Sequence, residues 1–247
     1  MNYLPKAIFY YASLGYACIA LFACSPILYA PTTQNVPLLQ QKGEVNIGGG
    51  YISTESAEGM SLNFATAVDS SWAIAAAFNT LGDGTVRSGN SWDSKGRYLE
   101  AAAGKFGTIA DGPFLYEAFL GLGYGTATNK NSNSSVNGKF IKPYLQTSIG
   151  VRSKIVDLAF TPRLAVVNYV SNDVYIPGAP EEAMAASNYF DDKGSSFVFE
   201  PGITLRLGLK NVKIQAQYVY STFNYRESDL WQFDKNILSF GLNFYIH

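Results

Sequence analysis

The side chains of this 247-residue sequence that call for a chemical explanation are two cysteines, Cys18 and Cys24, one histidine, His247, and charged residues embedded in apolar segments. Acyl transfer and hydrolysis at neutral pH usually draw on an imidazole as general base or activator. His247 is the last residue and no serine neighbours it in the pattern, so no catalytic set assembles and the chain reads as a non-enzyme. Glu181-Glu182 and Asp191-Asp192 match no calcium-loop spacing and read as solvated charge. Gly121-Leu122-Gly123-Tyr124-Gly125 imitates a phosphate loop, but it lies inside an alternating segment with no following helix, so these glycines read as small residues of a wall. The expected inventory is therefore no catalytic residue, no metal and no cofactor.

Cys24 carries different chemistry. After Lys6 comes the apolar run 7–23, followed at once by Cys24-Ser25-Pro26. The run has the length of a signal-peptide core, and no second apolar stretch of about 18 residues follows it. Leu21-Phe22-Ala23-Cys24 resembles a bacterial lipobox, in which a cysteine after a small residue is acylated and becomes the first residue of the mature chain. Cys18 is the weaker candidate, because Gly15 stands where that motif prefers leucine. Cleavage ahead of Cys24 leaves a mature chain whose one cysteine carries the lipid, which excludes disulfides and cysteine metal sites. The chain divides accordingly into a signal peptide, 1–23, a lipidated spacer, 24–43, and a body, 44–247. Pro26, Pro31 and Pro37 and the lack of any regular period mark the spacer as extended.

The body must supply the elements that position the charges. Apolar residues make up 47% of the chain and charged residues 15%, where a soluble domain carries about 25% charge. The formal net charge of −1 offers no field for nucleic acid. The body alternates with period two: Phe197, Phe199, Pro201, Ile203, Leu205, Leu207 and Leu209 share one face against Val198, Glu200, Gly202, Thr204, Arg206 and Gly208. The pattern recurs in segments at 44–54, 59–69, 71–80, 96–106, 113–127, 138–152, 155–170, 196–209, 211–223 and 235–246. Their connections alternate too. Tight turns fall at Ser70-Ser71, Ala110-Asp111-Gly112, Lys154 and Lys210-Asn211, whereas the third, fifth, seventh and ninth connections read as long and polar. An even strand count with short turns at one end and long loops at the other predicts an all-β, transmembrane, antiparallel up-and-down β-barrel of about ten strands. In an outer membrane the turns face the periplasm and the loops the exterior, which puts both ends of the barrel, and the spacer, on the periplasmic side.

The apolar faces are expected to meet lipid. The opposite face carries Glu100, Glu117, Asp157 and Glu200 against Lys142, Arg163, Arg206 and Lys213. Charges in a narrow, lipid-enclosed interior are costly unless paired, so this equal count predicts a crosslinked network filling the lumen, with part of the spacer as an alternative plug, whereas a selective pore would show a surplus of one sign. Gly48, Gly50, Ala65, Ala67, Ala73, Ala75, Ala77, Ala102 and Gly104 leave the wall of the first four strands thin, with some space beside it.

The lipobox, the stretch Asn35-Val36-Pro37-Leu38-Leu39-Gln40-Gln41-Lys42-Gly43-Glu44 and the strands after it together resemble small outer-membrane β-barrel lipoproteins of the Bacteroidota. That resemblance implies an outer-membrane location. It also implies that the lack of an acidic cluster after Cys24 keeps the lipid in the periplasmic leaflet. Such proteins are often accessory parts of larger outer-membrane machines, so the first functional reading is a structural or accessory subunit. Its partner surfaces would be membrane lipid, Pro37, Leu38 and Leu39 of the spacer, and the loop aromatics Tyr189, Phe190, Tyr225 and Trp231. The alternative reading is a small channel or solute-binding transport protein. Intact-mass spectrometry tests the lipid: the wild-type mature chain is expected to begin at Cys24 with an added diacylglyceryl group, and Cys24→Ser to yield an unacylated, uncleaved precursor.

Overall fold

The computed structural model describes residues 27–83, 92–110, 112–178, 181, 184, 188, 195–223 and 232–246. Cys24, Tyr189, Phe190, Tyr225, Trp231 and His247 lie outside them. The strands are β1 (Ile27–Tyr29), β2 (Val45–Thr54), β3 (Ala57–Ala67), β4 (Trp72–Asp83), β5 (Asp93–Thr108), β6 (Phe114–Lys130), β7 (Ser135–Arg152), β8 (Val156–Tyr175), β9 (Ser195–Gly208), β10 (Val212–Tyr220), β11 (Thr222–Phe223), β12 (Gln232–Phe233) and β13 (Asn236–Ile246). The long strands pair antiparallel in the order β10-β13-β2-β3-β4-β5-β6-β7-β8-β9, and a further β9–β10 pairing closes the ring. Short β11 continues β10 along the edge of β9. Among the described residues this is the expected closed barrel of ten strands, and each expected segment corresponds to one of them.

Alternation sorts the side chains as a membrane requires. Leu62, Ile74, Leu99, Leu120, Leu122, Ile149, Phe160, Ile203, Ile214 and Phe240 are exposed on the outer wall, while Glu100, Glu117, Lys142, Arg163, Glu200 and Arg206 are buried. On β5 the outward side chains between Lys105 and Arg97 are Ala103, Ala101 and Leu99. That stretch is about 26 Å of strand at about 3.3 Å per residue, and a tilt of about 40° gives it a height of about 20 Å, close to the apolar band of a membrane barrel. Lys105 lies 5.3 Å from the centre of the Trp72 ring, where an amphipathic pair suits the interface.

The turn end is tied locally. Asp69 Oδ1 accepts from the Ser71 and Trp72 amides, each at 2.7 Å. These amides hold the Asp69 carboxyl below its usual range, so its stabilising effect is present at neutral pH and is lost as pH falls through the folded-state value. At the other end one expectation fails. The fifth connection is not a long polar loop but the tight turn 131–134, where Asn131 Oδ1 accepts from the amides of Asn133 and Ser134. Its polar residues belong instead to extended strands, since β6 and β7 stay paired out to Lys130 and Ser135.

The second difference is larger. The segment read as a periplasmic spacer, with entry into the lumen as the open alternative, runs from Ile27 to Leu39 through the inside of the barrel and is buried throughout. Gly43 N–H donates to the Ala67 carbonyl (2.9 Å) at the turn end. Ile27 lies at the opposite end, where β1 pairs in parallel with β12. The barrel begins and ends at the turn end as expected, with Val45 beside Ile246, but the chain ahead of β2 returns through the lumen. Pro37, Leu38 and Leu39 therefore face no outside partner.

The seam between the first and last barrel strands depends on one close approach. Gly50 faces Gly241, and a Cβ on Gly50 would stand 2.1 Å from the Phe240 carbonyl oxygen and 2.5 Å from Gly241 Cα. Because these neighbours are backbone, the strand itself would have to move. Gly50→Val is expected to abolish the compact, faster-migrating band of the unheated barrel on gels, while Gly82→Val, at a site with open space around it, leaves that band in place.

Candidate functional site in the barrel lumen

A strand inside a closed barrel has no neighbouring strand to pair with, and its main-chain polar groups still need partners. The wall side chains supply them. Thr33 N–H and Oγ1 donate to Asn79 Oδ1 (3.3 and 2.8 Å). Gln34 N–H donates to Gln217 Oε1 (2.8 Å) and its carbonyl accepts from Gln217 Nε2 (2.9 Å), so one amide side chain reproduces a ladder pair. Gln146 Nε2 donates to the Asn35 carbonyl (2.7 Å), Arg206 Nη2 to that of Val36 (2.6 Å) and Arg152 Nη1 to that of Leu38 (3.0 Å). Glu117 Oε1 accepts from Leu39 N–H (3.1 Å) and Glu44 Oε2 from Gln40 N–H (2.8 Å).

Near the middle of the strands four charges converge from β5, β7, β8 and β9. Lys142 Nζ is 2.6 Å from Glu100 Oε1, and Arg163 reaches Glu100 Oε2 at 3.0 Å and Glu200 Oε2 at 2.7 Å. The lumen segment completes the group. Thr32 Oγ1 donates to Glu100 (2.8 Å), Tyr29 Oη donates to Glu200 (2.7 Å), and Arg163 Nη2 donates to the Thr32 carbonyl (3.1 Å). All four charged side chains are buried, and the fixed, multiply bonded geometry offsets their desolvation.

A second group sits toward the turn end. Lys213 pairs with Asp157, whose Oδ2 accepts from Tyr245 Oη (2.9 Å), and Arg152 pairs with Glu44 while lying 3.6 Å from the centre of the Tyr245 ring. The eight charges named from sequence are thus all in the lumen wall, but they do not pair four to four. Arg206 has neutral partners, Gln215 Oε1 (2.7 Å), Tyr245 Oη (2.7 Å) and Val36 O. Glu117 forms no ion pair among the described residues, and its Oε2 has no hydrogen-bond partner there. Glu44 and Arg152 were missed, although both occupy the inward register of their segments. Tyr29, Thr32, Gln34 and Asn35 were missed because nothing local distinguishes a polar spacer from a buried strand.

Apolar contacts fill what the charges leave. Leu39 packs with Ala65, Ala67, Ala73, Ala75, Phe106 and Phe119, so the space beside the thin wall is occupied. Above it Tyr29 touches Phe140 and Phe223 edge-on or tilted, with ring centroids at 5.6 and 5.0 Å. Leu38 adopts φ 51° directly after Pro37, a left-handed conformation that costs a non-glycine residue about 1–2 kcal/mol. Arg152 on its carbonyl and Glu117 on the next amide hold that bend. Among the described residues, no group of three or more His, Cys, Asp or Glu side chains is arranged to hold a metal.

No protein-family model and no curated protein matches the chain. Solved structures similar to it are membrane barrels. The attachment invasion locus protein Ail of Yersinia pestis is 14% identical, with 83% of this chain and 99% of that chain covered and a TM-score of 0.36. The KdgM porin is 10% identical over 83% and 99% (TM-score 0.36), and the NanC porin 10% identical over 81% and 98% (TM-score 0.37). The assignment of the class rests on this chain's own geometry: a closed, ten-stranded transmembrane β-barrel with an apolar outer wall and a lumen filled by its own amino-terminal segment.

Arg163→Ala is expected to leave Glu100 and Glu200 short of their shared cation and to cost about 3–5 kcal/mol. Arg206→Ala, which removes hydrogen bonds to neutral groups, should cost less, about 1–3 kcal/mol. Urea titration of the folded band measures both, and equal losses would count against this difference in partners.

Proposed function

We propose that this protein is a bacterial outer-membrane barrel lipoprotein, acylated on Cys24, that serves as a structural or accessory component and neither conducts solutes nor catalyses a reaction. The observation that carries this reading is the hydrogen-bonded passage of Ile27 to Leu39 down the lumen, with wall partners for successive main-chain groups. A ten-stranded barrel has an interior only slightly wider than the eight-stranded barrels that side chains alone fill. One extended segment, with Leu39 against the alanine wall, takes up that difference. The near balance of lumen charges supports the same reading, since a selective pathway gains from a surplus of one sign. Support for the outer membrane comes from the apolar outer wall and from the resemblance to Bacteroidota barrel lipoproteins. In the accessory role the surfaces left to meet a larger membrane complex are the outer wall and the long connections, because Pro37, Leu38 and Leu39 are enclosed.

Planar-bilayer recording tests the closed lumen. The wild-type barrel is expected to show no steady conductance, and deletion of residues 28–38 to open a pathway lined by Glu100, Lys142, Arg163 and Glu200. Steady wild-type conductance would favour the channel alternative. Affinity purification from the native membrane in mild detergent tests the accessory role, with a stoichiometric membrane companion as the expected result and a consistently solitary barrel as the contrary one.

A further inference from the structure

The lumen segment crosses the barrel once and in one direction. Gln40 N–H is held by Glu44 and Gly43 N–H by the Ala67 carbonyl, both at the turn end. Leu38 packs with Leu115 and Ala159 near that end of β6 and β8. At the far end Ile27 N–H donates to Asn129 Oδ1 (3.0 Å), Asn129 Nδ2 donates to the Ile27 carbonyl (2.8 Å), and Asp234 N–H donates to the Tyr29 carbonyl (3.0 Å). Leu115 and Asn129 lie on the same strand, β6, so the two ends of the crossing can be compared on one ruler. At about 3.3 Å per residue and a tilt of about 40°, β6 rises about 35 Å between them, and a fully extended chain from Leu38 to Ile27 reaches about 36 Å. The segment is therefore close to extended over the crossing, and Ile27 lies at the long-connection end of the barrel.

We infer that the chain ahead of Ile27 leaves the lumen at the long-connection end, so that the mature amino terminus is displayed on the same membrane face as the long connections and opposite the tight turns. The inference deepens the proposed function and rests on its outer-membrane reading for the statement that this face is the cell exterior. Its consequence concerns the lipid. Only Ser25 and Pro26 separate Cys24 from Ile27, and the three residue-to-residue steps reach at most about 11 Å, so acyl chains on Cys24 insert into the leaflet on the long-connection side, not the periplasmic one. The ligand of the amino terminus is then the lipid of that leaflet, and the anchored end ties the top of the lumen segment to the membrane beside the long connections.

Three proteins carrying one epitope each decide it: between Pro26 and Ile27, in the long connection after Gly178, and in the Lys210-Asn211 turn. Antibody is applied to intact and then to permeabilised cells, for variants that retain the folded band. The expected result is that the first two epitopes are reached from the same side and the third only from the other. A first epitope that behaves like the turn epitope overturns the inference. Whether the shared side is the exterior, and whether the barrel fractionates with the outer membrane, tests the outer-membrane reading separately. Should the first insertion prevent folding, Ile27→Cys with Gln232→Cys, in the otherwise unchanged chain whose Cys24 sulfur carries the lipid and whose Cys18 leaves with the signal peptide, gives an independent reading of the same geometry. The two positions face each other across β1 and β12, so a disulfide is expected in the oxidising envelope, and none forming would overturn the inference.

Discussion

Arg163 joins three strands and the lumen segment in one interaction, and most of the structure depends on the constraint it satisfies. Its guanidinium lies between Glu100 of β5 and Glu200 of β9 and also donates to the Thr32 carbonyl. A barrel in a bilayer presents an apolar exterior and must collect its polar groups inside, where each charge needs a partner at fixed distance. The wall residues alone do not meet that requirement. Glu100 and Glu200 also accept from the Thr32 and Tyr29 hydroxyls, and Arg206 spends one of its donors on the Val36 carbonyl. The extended segment needs the wall just as much, because its amides and carbonyls have no neighbouring strand. Wall and segment are each incompletely satisfied without the other, which is why the segment lies bonded to the wall inside the lumen.

The shapes follow from the same constraint. Alanines at 65, 67, 73 and 75 thin one side of the wall and make room for Leu39, while Phe106 and Phe119 cover it. Gly202 has the same role on the other side, where a Cβ would stand 2.1 Å from Gln34 Oε1. The bend at Pro37-Leu38 turns the segment toward β2, and its left-handed Leu38 is a local cost offset by the bonds on either side of it. The single-pass segment then places Ile27 at the long-connection end and Leu39 toward the turn end.

Much of this was legible as residues. Period-two alternation located all ten long strands, and the tight turns at 70–71, 110–112, 154 and 210–211 set their order, because lipid on one face and a polar interior on the other leave no freedom in side-chain direction. The inward register likewise picked out Glu100, Lys142, Arg163 and Glu200 as lumen residues. It did not assign partners. Pairing across a lumen joins residues far apart in sequence and depends on barrel stagger, so an equal count of signs suggested a match for Arg206 and Glu117 that the geometry does not make. The fifth connection was misread for a related reason: above the membrane a strand is polar on both faces and looks like a loop.

Residues 27–39 mark the limit most clearly. Their prolines and polar side chains rule out a helix and predict an extended chain, and that local conformation is what they adopt. Whether an extended polar chain lies in water or inside a barrel is not a local property. It is decided by hydrogen-bond partners more than a hundred residues away, such as Gln146 for Asn35 and Gln217 for Gln34, brought together only when the sheet closes. Alternation therefore determined the membrane-spanning wall from the chain alone, since each strand carries its own two-faced pattern. The contents of the lumen and the direction in which residues 27–39 cross it were decided by the tertiary structure, since both depend on distances across the closed barrel.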